Sequence, residues 1–213
     1  MTQKAIIFDF DGTIADTVDS LVAIANRLAK DFGYIPITPE ELSLLKNLNS
    51  REIIKYSGIS IFKIPFLVKK VKSELKNKIH ELKPIPEIKE ALITLKSEGN
   101  RLGIVTSNSQ ENVTEFLKVN DLEHLFDFVY SGITIFGKTT IINNVLKQKQ
   151  IKPQEAIYVG DETRDVEAAQ KANIKVVAVA WGFNSKQVLA KQNPDFLIDR
   201  PSELLEVVKN ATF

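Results

Sequence analysis

The chain of 213 residues contains no cysteine, one methionine and only two histidines. The absence of cysteine excludes disulfides and thiolate metal sites; it fits a reducing compartment, so we expect a cytoplasmic protein. A net charge of +1 creates no global field that would recruit nucleic acid or a membrane surface. No apolar run approaches the roughly 18 residues of a membrane span, and the N-terminal residues lack the pattern of a signal peptide. We expect neither nucleic acid nor a membrane as partner.

The apolar fraction of 44% is sufficient for a packed core. Short runs rich in β-branched residues, each bounded by polar residues or glycine, predict buried strands: Lys4–Phe10, Arg101–Thr106, Ala156–Gly160, Lys175–Ala180 and Asp195–Ile198. Segments with helical periodicity alternate with these runs, namely Glu87–Glu98, Gln110–Val119, Thr139–Lys149 and a short helix opened by Pro201. This alternation predicts an α/β fold with a Rossmann-like parallel sheet and helices on both faces.

Residues 17–83 interrupt this alternation. They have helical periodicity but no convincing paired strands, and they hold 12 Lys and Arg against 7 Asp and Glu. We therefore predict a small all-helical cap, residues 16–83, inserted after the first strand. The catalytic core would comprise residues 1–15 and 84–213.

Polar side chains follow three of the predicted strands. Asp9 and Asp11 end the first strand, Thr106 to Asn108 end the next, and Asp161 to Asp165 follow Ala156–Gly160. Ligands bind at the carboxyl ends of strands in open parallel sheets, so we expect these groups to share one pocket. Lys138, which follows Gly137 at the start of a predicted helix, would join them.

Several carboxylates in one pocket repel each other, and a divalent cation removes that repulsion. A set of oxygen ligands without histidine or cysteine favours Mg²⁺, which also binds substrate phosphate. A lysine and hydroxyl groups beside it are typical phosphate ligands. The strand ends therefore predict a magnesium site that binds a phosphoryl group.

Four segments of the sequence resemble the motifs of the haloacid dehalogenase-like superfamily: DFDGT with a following DT, TSN, GK and GDETRD. The helical insert after the first motif is similar to that of the branch containing phosphoglycolate phosphatases and β-phosphoglucomutases. The resemblance implies a Mg²⁺-dependent phosphatase that hydrolyses a small phosphorylated metabolite through an aspartyl-phosphate.

The resemblance also implies roles for individual residues. Asp9 would be the nucleophile, and Asp11 the general acid and then the base. Thr106 would bind a phosphoryl oxygen, and Lys138 would neutralise both nucleophile and phosphoryl group. Four aspartates would form the metal site: Asp9, Asp11, Asp161 and Asp165. Asp11 would bind through its backbone carbonyl, Asp161 would complete the ligand set, and Asp165 would hold that set in place without touching the metal.

Further residues are predicted to contact substrate. Ser107 and Asn108 would do so beside Thr106, and Gly12 and Thr13 in the turn after Asp11, where glycine tolerates positive φ. Arg51 lies where related enzymes place a cap arginine that reaches the substrate; a surface arginine paired with glutamate is the alternative.

Three functions remain open at this stage. A phosphatase is favoured; a sugar phosphomutase would use the same aspartates but protect the aspartyl-phosphate from water; a catalytically silent binding module would not need the complete motif set. Glu162 competes with Asp161 as a metal ligand. The protein is expected to be a monomer or a homodimer.

Overall fold

The computed structural model describes residues 3–132 and 137–211. Within these ranges six parallel strands form one sheet in the order β3-β2-β1-β4-β5-β6. The strands are β1 (Ala5–Phe8), β2 (Arg101–Thr106), β3 (Phe128–Ser131), β4 (Ala156–Gly160), β5 (Lys175–Val179) and β6 (Phe196–Ile198). The predicted α/β class with a parallel sheet is confirmed.

Ten α-helices accompany the sheet in the described ranges. They are α1 (Val18–Phe32), α2 (Pro39–Leu45), α3 (Ser50–Ser57), α4 (Ile64–Lys76), α5 (Ile88–Ser97), α6 (Gln110–Val119), α7 (Lys138–Gln148), α8 (Thr163–Lys171), α9 (Lys186–Ala190) and α10 (Leu204–Asn210). None of the helices in this part of the chain is long and apolar enough to cross a membrane.

The two faces of the sheet bury separate apolar clusters, because successive side chains of a strand point to opposite faces. Ile6 and Phe8 of β1 pack in one cluster with residues of α5 and α6. Ile7 packs in the other, with residues of α7 and α8. Burial on both faces explains why β1, β2 and β4 are continuous apolar runs in the sequence.

The edge strand β3 was not predicted. Only Phe128 of its four residues is fully buried, and Ser131 is exposed. Its apolar run is only three residues long, Phe128–Tyr130, between Asp127 and Ser131, and is shorter than those of β1 and β4. Its pairing with β2 is parallel, with Gly103 opposite Phe128.

Helices α1 to α4 lie between β1 and α5, so residues 17–83 hold helices and no strand among the described residues. The two chain segments that join them to the sheet run side by side: Ala15 forms an antiparallel bridge with Pro84, and the Asp16 N–H donates to the Lys83 carbonyl at 2.9 Å. Both connections therefore leave the sheet at one point, directly after β1.

Candidate active site

Four charged side chains from three parts of the chain meet at the carboxyl edge of the sheet. Asp9 follows β1, Asp161 and Asp165 follow β4, and Lys138 begins α7. All four are buried. One carboxylate oxygen from each of the three aspartates lies within 4.8 Å of the others. The parallel order of β1 and β4 brings these residues together, because both strands end at the same edge.

The carboxylate of Asp9 is held at both oxygens. Its Oδ1 accepts from the N–H of Phe10 at 2.7 Å, and its Oδ2 accepts from Lys138 Nζ at 2.7 Å. Lys138 also donates to Asp165 Oδ1 at 2.5 Å. Burial acts to lower the pKa of Lys138, but the carboxylates of Asp165 and Asp9 outweigh it and hold this pKa well above its usual value. The ammonium is therefore fully charged beside Asp9.

Asp161 is enclosed by glycines. Its Oδ1 accepts from the hydroxyl of Thr13 at 2.7 Å, and its Oδ2 accepts from the N–H of Phe183 at 2.8 Å. Gly12 has φ of +73°, and a Cβ there would lie 2.4 Å from Asp161 Oδ2; one at Gly182 would lie 2.3 Å from the Asp161 side chain. Only glycine fits at either position without moving this carboxylate.

Thr13 is fully buried, so its hydroxyl serves Asp161 in this structure. The contacts of Thr13 and Gly12 with a substrate stay predictions. The indole N–H of Trp181 donates to the Thr13 carbonyl at 3.2 Å. This hydrogen bond helps to fix the turn that follows Asp11.

The aspartate cluster fits a divalent cation. Burial, and then the negative charges of Glu162, Asp165 and Asp9, hold the pKa of Asp161 well above its usual value. Burial also raises the pKa of Asp165 to about 6, against the opposing charge of Lys138. A cation at the cluster would favour the ionised carboxylates, and ligands that are all oxygen suit a hard cation. The chain therefore has an aspartate triad that can bind a metal.

Asp11 lies apart from this triad and faces the end of β2. Asn108 Nδ2 donates to both Asp11 carboxylate oxygens, each at 3.0 Å. Burial and the neighbouring charge of Asp9 raise the pKa of Asp11 to about 6, and the Asn108 amide partly opposes them. A carboxyl with a pKa near neutrality can both give and take a proton at physiological pH.

The residues after β2 are also at this edge. Thr106 is buried, and its hydroxyl accepts from the Asn108 N–H at 3.0 Å. Ser107 is half-buried and lines a cleft between the sheet edge and helices α1 and α4. The roles of Thr106, Ser107 and Asn108 toward substrate stay predictions, but all three lie on the Asp11 side of the cluster.

Arg51 lies in the first turn of α3 and is exposed. Its neighbour Ser50 lines a cavity beside Asp11, whereas Arg51 is not among the residues that line it. The alternative prediction for Arg51 was an ion pair with a glutamate. The neighbouring Glu52 accepts from the Asn49 N–H at 2.8 Å in the N-terminal cap of α3 instead. Contact between Arg51 and a substrate stays a prediction.

Sequence reasoning missed Arg164, the residue before Asp165. Its Nη2 donates to Glu162 Oε1 at 2.5 Å, and its side chain is one quarter exposed. Arg164 and Glu162 both line the cleft that contains Asp11. Glu162, the predicted competitor of Asp161, lies outside the metal-binding triad found among the described residues. The fourth motif could have indicated that Arg164 belongs to the site, because the acids around it in the sequence would hold an arginine at the same edge of the sheet.

Comparisons with known proteins agree with this geometry. The family model described as haloacid dehalogenase-like hydrolase matches residues 6–179. The chain is 40% identical over 206 residues to a phosphoglycolate phosphatase of Synechococcus elongatus, covering 97% of each chain. It is 29% identical to a phosphoglycolate phosphatase of Aquifex aeolicus, covering 98% of each. A haloacid dehalogenase-like hydrolase from Streptococcus pneumoniae superposes with a TM-score of 0.78 at 27% identity, covering 96% of this chain and 97% of that one.

Proposed function

The chain belongs to the haloacid dehalogenase-like hydrolases and is a phosphatase of that family, and we propose that it uses Mg²⁺ and forms an aspartyl-phosphate at Asp9. The observation that carries this proposal is the position of Asp9: Lys138 holds one oxygen at 2.7 Å, and Asp161 and Asp165 lie within 4.8 Å. The nucleophilic carboxylate of Asp9 therefore lies beside both the ammonium of Lys138 and the aspartates that can bind a metal.

The reaction would proceed in two displacements. An oxygen of Asp9 attacks phosphorus, the bond from phosphorus to the ester oxygen breaks, and protonated Asp11 gives its proton to that oxygen. Ionised Asp11 then takes a proton from water, the water oxygen attacks phosphorus, and Asp9 is released as a free carboxylate with inorganic phosphate as product. The pKa of about 6 at Asp11 suits this double role.

Asp9, Asp161 and the Asp11 backbone carbonyl would hold the metal, and Asp165, within 4.8 Å of Asp9 and Asp161, would support the site while it accepts from Lys138. When bound, Mg²⁺ supplies positive charge to the phosphoryl oxygens, where negative charge is spread in the transition state. Lys138 would add a second positive charge beside Asp9, and Thr106 and Ser107 would donate hydrogen bonds to the phosphoryl oxygens.

We further propose that residues 16–83 form a cap over a core of residues 1–15 and 84–213. The two paired connections at Ala15 and Pro84 are where such a cap would pivot. Its closure would exclude bulk water from the aspartyl-phosphate. The names of the relatives make phosphoglycolate the first candidate substrate. Location in the cytoplasm, and a monomer or homodimer, remain our predictions.

Product analysis of the purified protein with Mg²⁺ tests this function. Phosphoglycolate, an aryl phosphate and β-glucose 1-phosphate are incubated with the wild type and with Asp9→Asn, and free phosphate and glucose 6-phosphate are measured. We expect free phosphate with the wild type alone. Conversion to glucose 6-phosphate would favour the mutase, and inactivity on every compound would favour the binding module.

A further inference from the structure

A cleft of about 580 Å³ lies between the sheet edge and the helices α1 and α4. Its helical wall is mainly apolar, with Leu21, Val68 and Val71 among the lining residues. Asp11 also lines it. Asp11, Glu162 and Arg164 line both this cleft and the cavity that contains Ser50. Because Asp11 would protonate the leaving oxygen, the leaving group of the substrate would lie against these residues.

Two cations line the same cleft and have no part in the phosphoryl chemistry described above. Arg164 reaches it from the first turn of α8, and Lys72 reaches it from α4. Both lie within electrostatic range of Asp11, since the charge of Arg164 acts on Asp11 and the charge of Asp11 acts on Lys72. They also repel each other.

The guanidinium of Arg164 is only partly satisfied. Glu162 accepts from Nη2, but Nε is buried and has no hydrogen-bond partner among the residues that the structure describes. A buried donor without a partner is costly. One quarter of the side chain is exposed and Arg164 lines the cleft, so a ligand there can contact the guanidinium.

The ammonium of Lys72 is held in the cleft by a neutral group. It donates to the backbone carbonyl of Ser107, which fixes its position without cancelling its charge. The amide of Asn112 donates to the Lys72 carbonyl at 3.0 Å, so the same turn of α4 is tied to the core from its backbone as well. Lys72 is therefore a half-buried cation fixed beside the sheet edge, unlike the exposed Lys69 and Lys70 of the same helix.

We propose that Lys72 and Arg164 form a subsite for a second anionic group, carried by the leaving group of the substrate. This inference rests on the proposed phosphatase function. The substrate class is a compact phosphate compound whose leaving group is itself an anion, either a carboxylate or a second phosphate. Arg164 offers its partly exposed guanidinium to one oxygen of that anion, and Lys72 supplies charge from α4.

Three substrates of similar size distinguish the two kinds of anion from each other and from a neutral leaving group. Phosphoglycolate carries a carboxylate, pyrophosphate has a phosphate leaving group, and ethylene glycol monophosphate carries a neutral hydroxyl. For the wild type we expect kcat/KM to be highest on one of the two anionic compounds, which identifies the anion. Loss of a charge-assisted hydrogen bond in Lys72→Met should then lower kcat/KM on that compound by roughly 10- to 100-fold. The loss should appear mainly in KM and be several times smaller on ethylene glycol monophosphate.

The control is Lys69→Met, an exposed lysine on the same helix, which should match the wild type on all three compounds. Arg164→Lys keeps the charge but removes the planar donor. Its kcat/KM on the anionic compound should lie between the values of the wild type and of Arg164→Met. Circular dichroism and thermal unfolding check that each variant is folded.

Equal losses on all three compounds, or a wild type with no preference for an anionic leaving group, would overturn the subsite and leave the phosphatase in place. A wild type that hydrolyses none of the three compounds and no aryl phosphate would instead overturn the proposed function.

Discussion

The amide Nδ2 of Asn108 lies 3.0 Å from each carboxylate oxygen of Asp11. The amide is itself oriented, because its Oδ1 accepts from the Ser109 N–H at 2.7 Å and from Asn112 Nδ2 at 3.0 Å. The end of β2 thus determines how the Asp11 carboxylate is turned. Asn108, predicted to contact substrate, is in this structure a residue that positions Asp11.

Replacement of Asn108 by leucine should impair Asp11 in two ways. The carboxylate loses its orientation, and its pKa rises because a donor that stabilises the ionised form is gone. We expect kcat to fall by roughly 10- to 100-fold and the Asp11 limb of the pH–rate profile to move to higher pH. Asn120→Ala, outside the site, is the control. A profile of unchanged shape in Asn108→Leu would argue against this positioning role.

Magnesium should stabilise the protein more at neutral than at acidic pH. In the folded protein the pKa of Asp161 is well above the usual aspartate value, and the pKa values of Asp11 and Asp165 are about 6. The folded state therefore binds more protons than the unfolded chain, and the stability of the metal-free protein falls as the pH rises through about 6. Magnesium bound at Asp161 would displace the proton of that carboxyl, and its charge would disfavour the protons of Asp11 and Asp165.

Thermal unfolding with and without Mg²⁺ measures this effect. At saturating Mg²⁺ and about pH 7.5 we expect Tm to rise by roughly 5–10 °C, and by much less at about pH 5. Asp161→Asn should lose most of the rise, and a chelator should abolish activity. An equal rise at both pH values would contradict metal binding by these carboxylates.

Gly12→Ala should damage the site beyond its effect on stability. Gly12 and Gly58 both have positive φ, but a Cβ at Gly58 would meet nothing within 4 Å, whereas one at Gly12 would meet Asp161 Oδ2 at 2.4 Å. Both substitutions should lower the free energy of unfolding by about 1–2 kcal/mol. Only Gly12→Ala should also weaken Mg²⁺ binding, measured by titration calorimetry. Equal Mg²⁺ affinity in the two variants would contradict the requirement that Gly12 keeps the Asp161 carboxylate in its metal-binding position.

The sequence predicted the inner strands well, because burial on both faces leaves an unmistakable apolar run in β1 and β4. It missed β3, whose apolar run of three residues ends at the exposed Ser131. Asp9, Asp161 and Lys138 could be placed at one edge because parallel strands end together. The contact of Lys138 with Asp165, 27 residues apart in the chain, depends on the packing of α7 against α8, which no local pattern encodes.

Arg164 and Lys72 illustrate the same limit. Each is an ordinary charged residue of an amphipathic helix in the sequence. Their shared cleft exists only because α4 folds back over the end of β2. Side chains that meet across such an interface cannot be paired from spacing alone.

The most direct test of the central claim is to trap the phosphoryl group on the enzyme. The protein is mixed with substrate and Mg²⁺, quenched in acid and reduced with borohydride, which converts an acyl phosphate of aspartate to homoserine, and the peptides are sequenced by mass spectrometry. The mechanism predicts homoserine at position 9 in the wild type, and none in Asp9→Asn. Active enzyme that yields no homoserine, or yields it at another aspartate, would contradict Asp9 as the nucleophile.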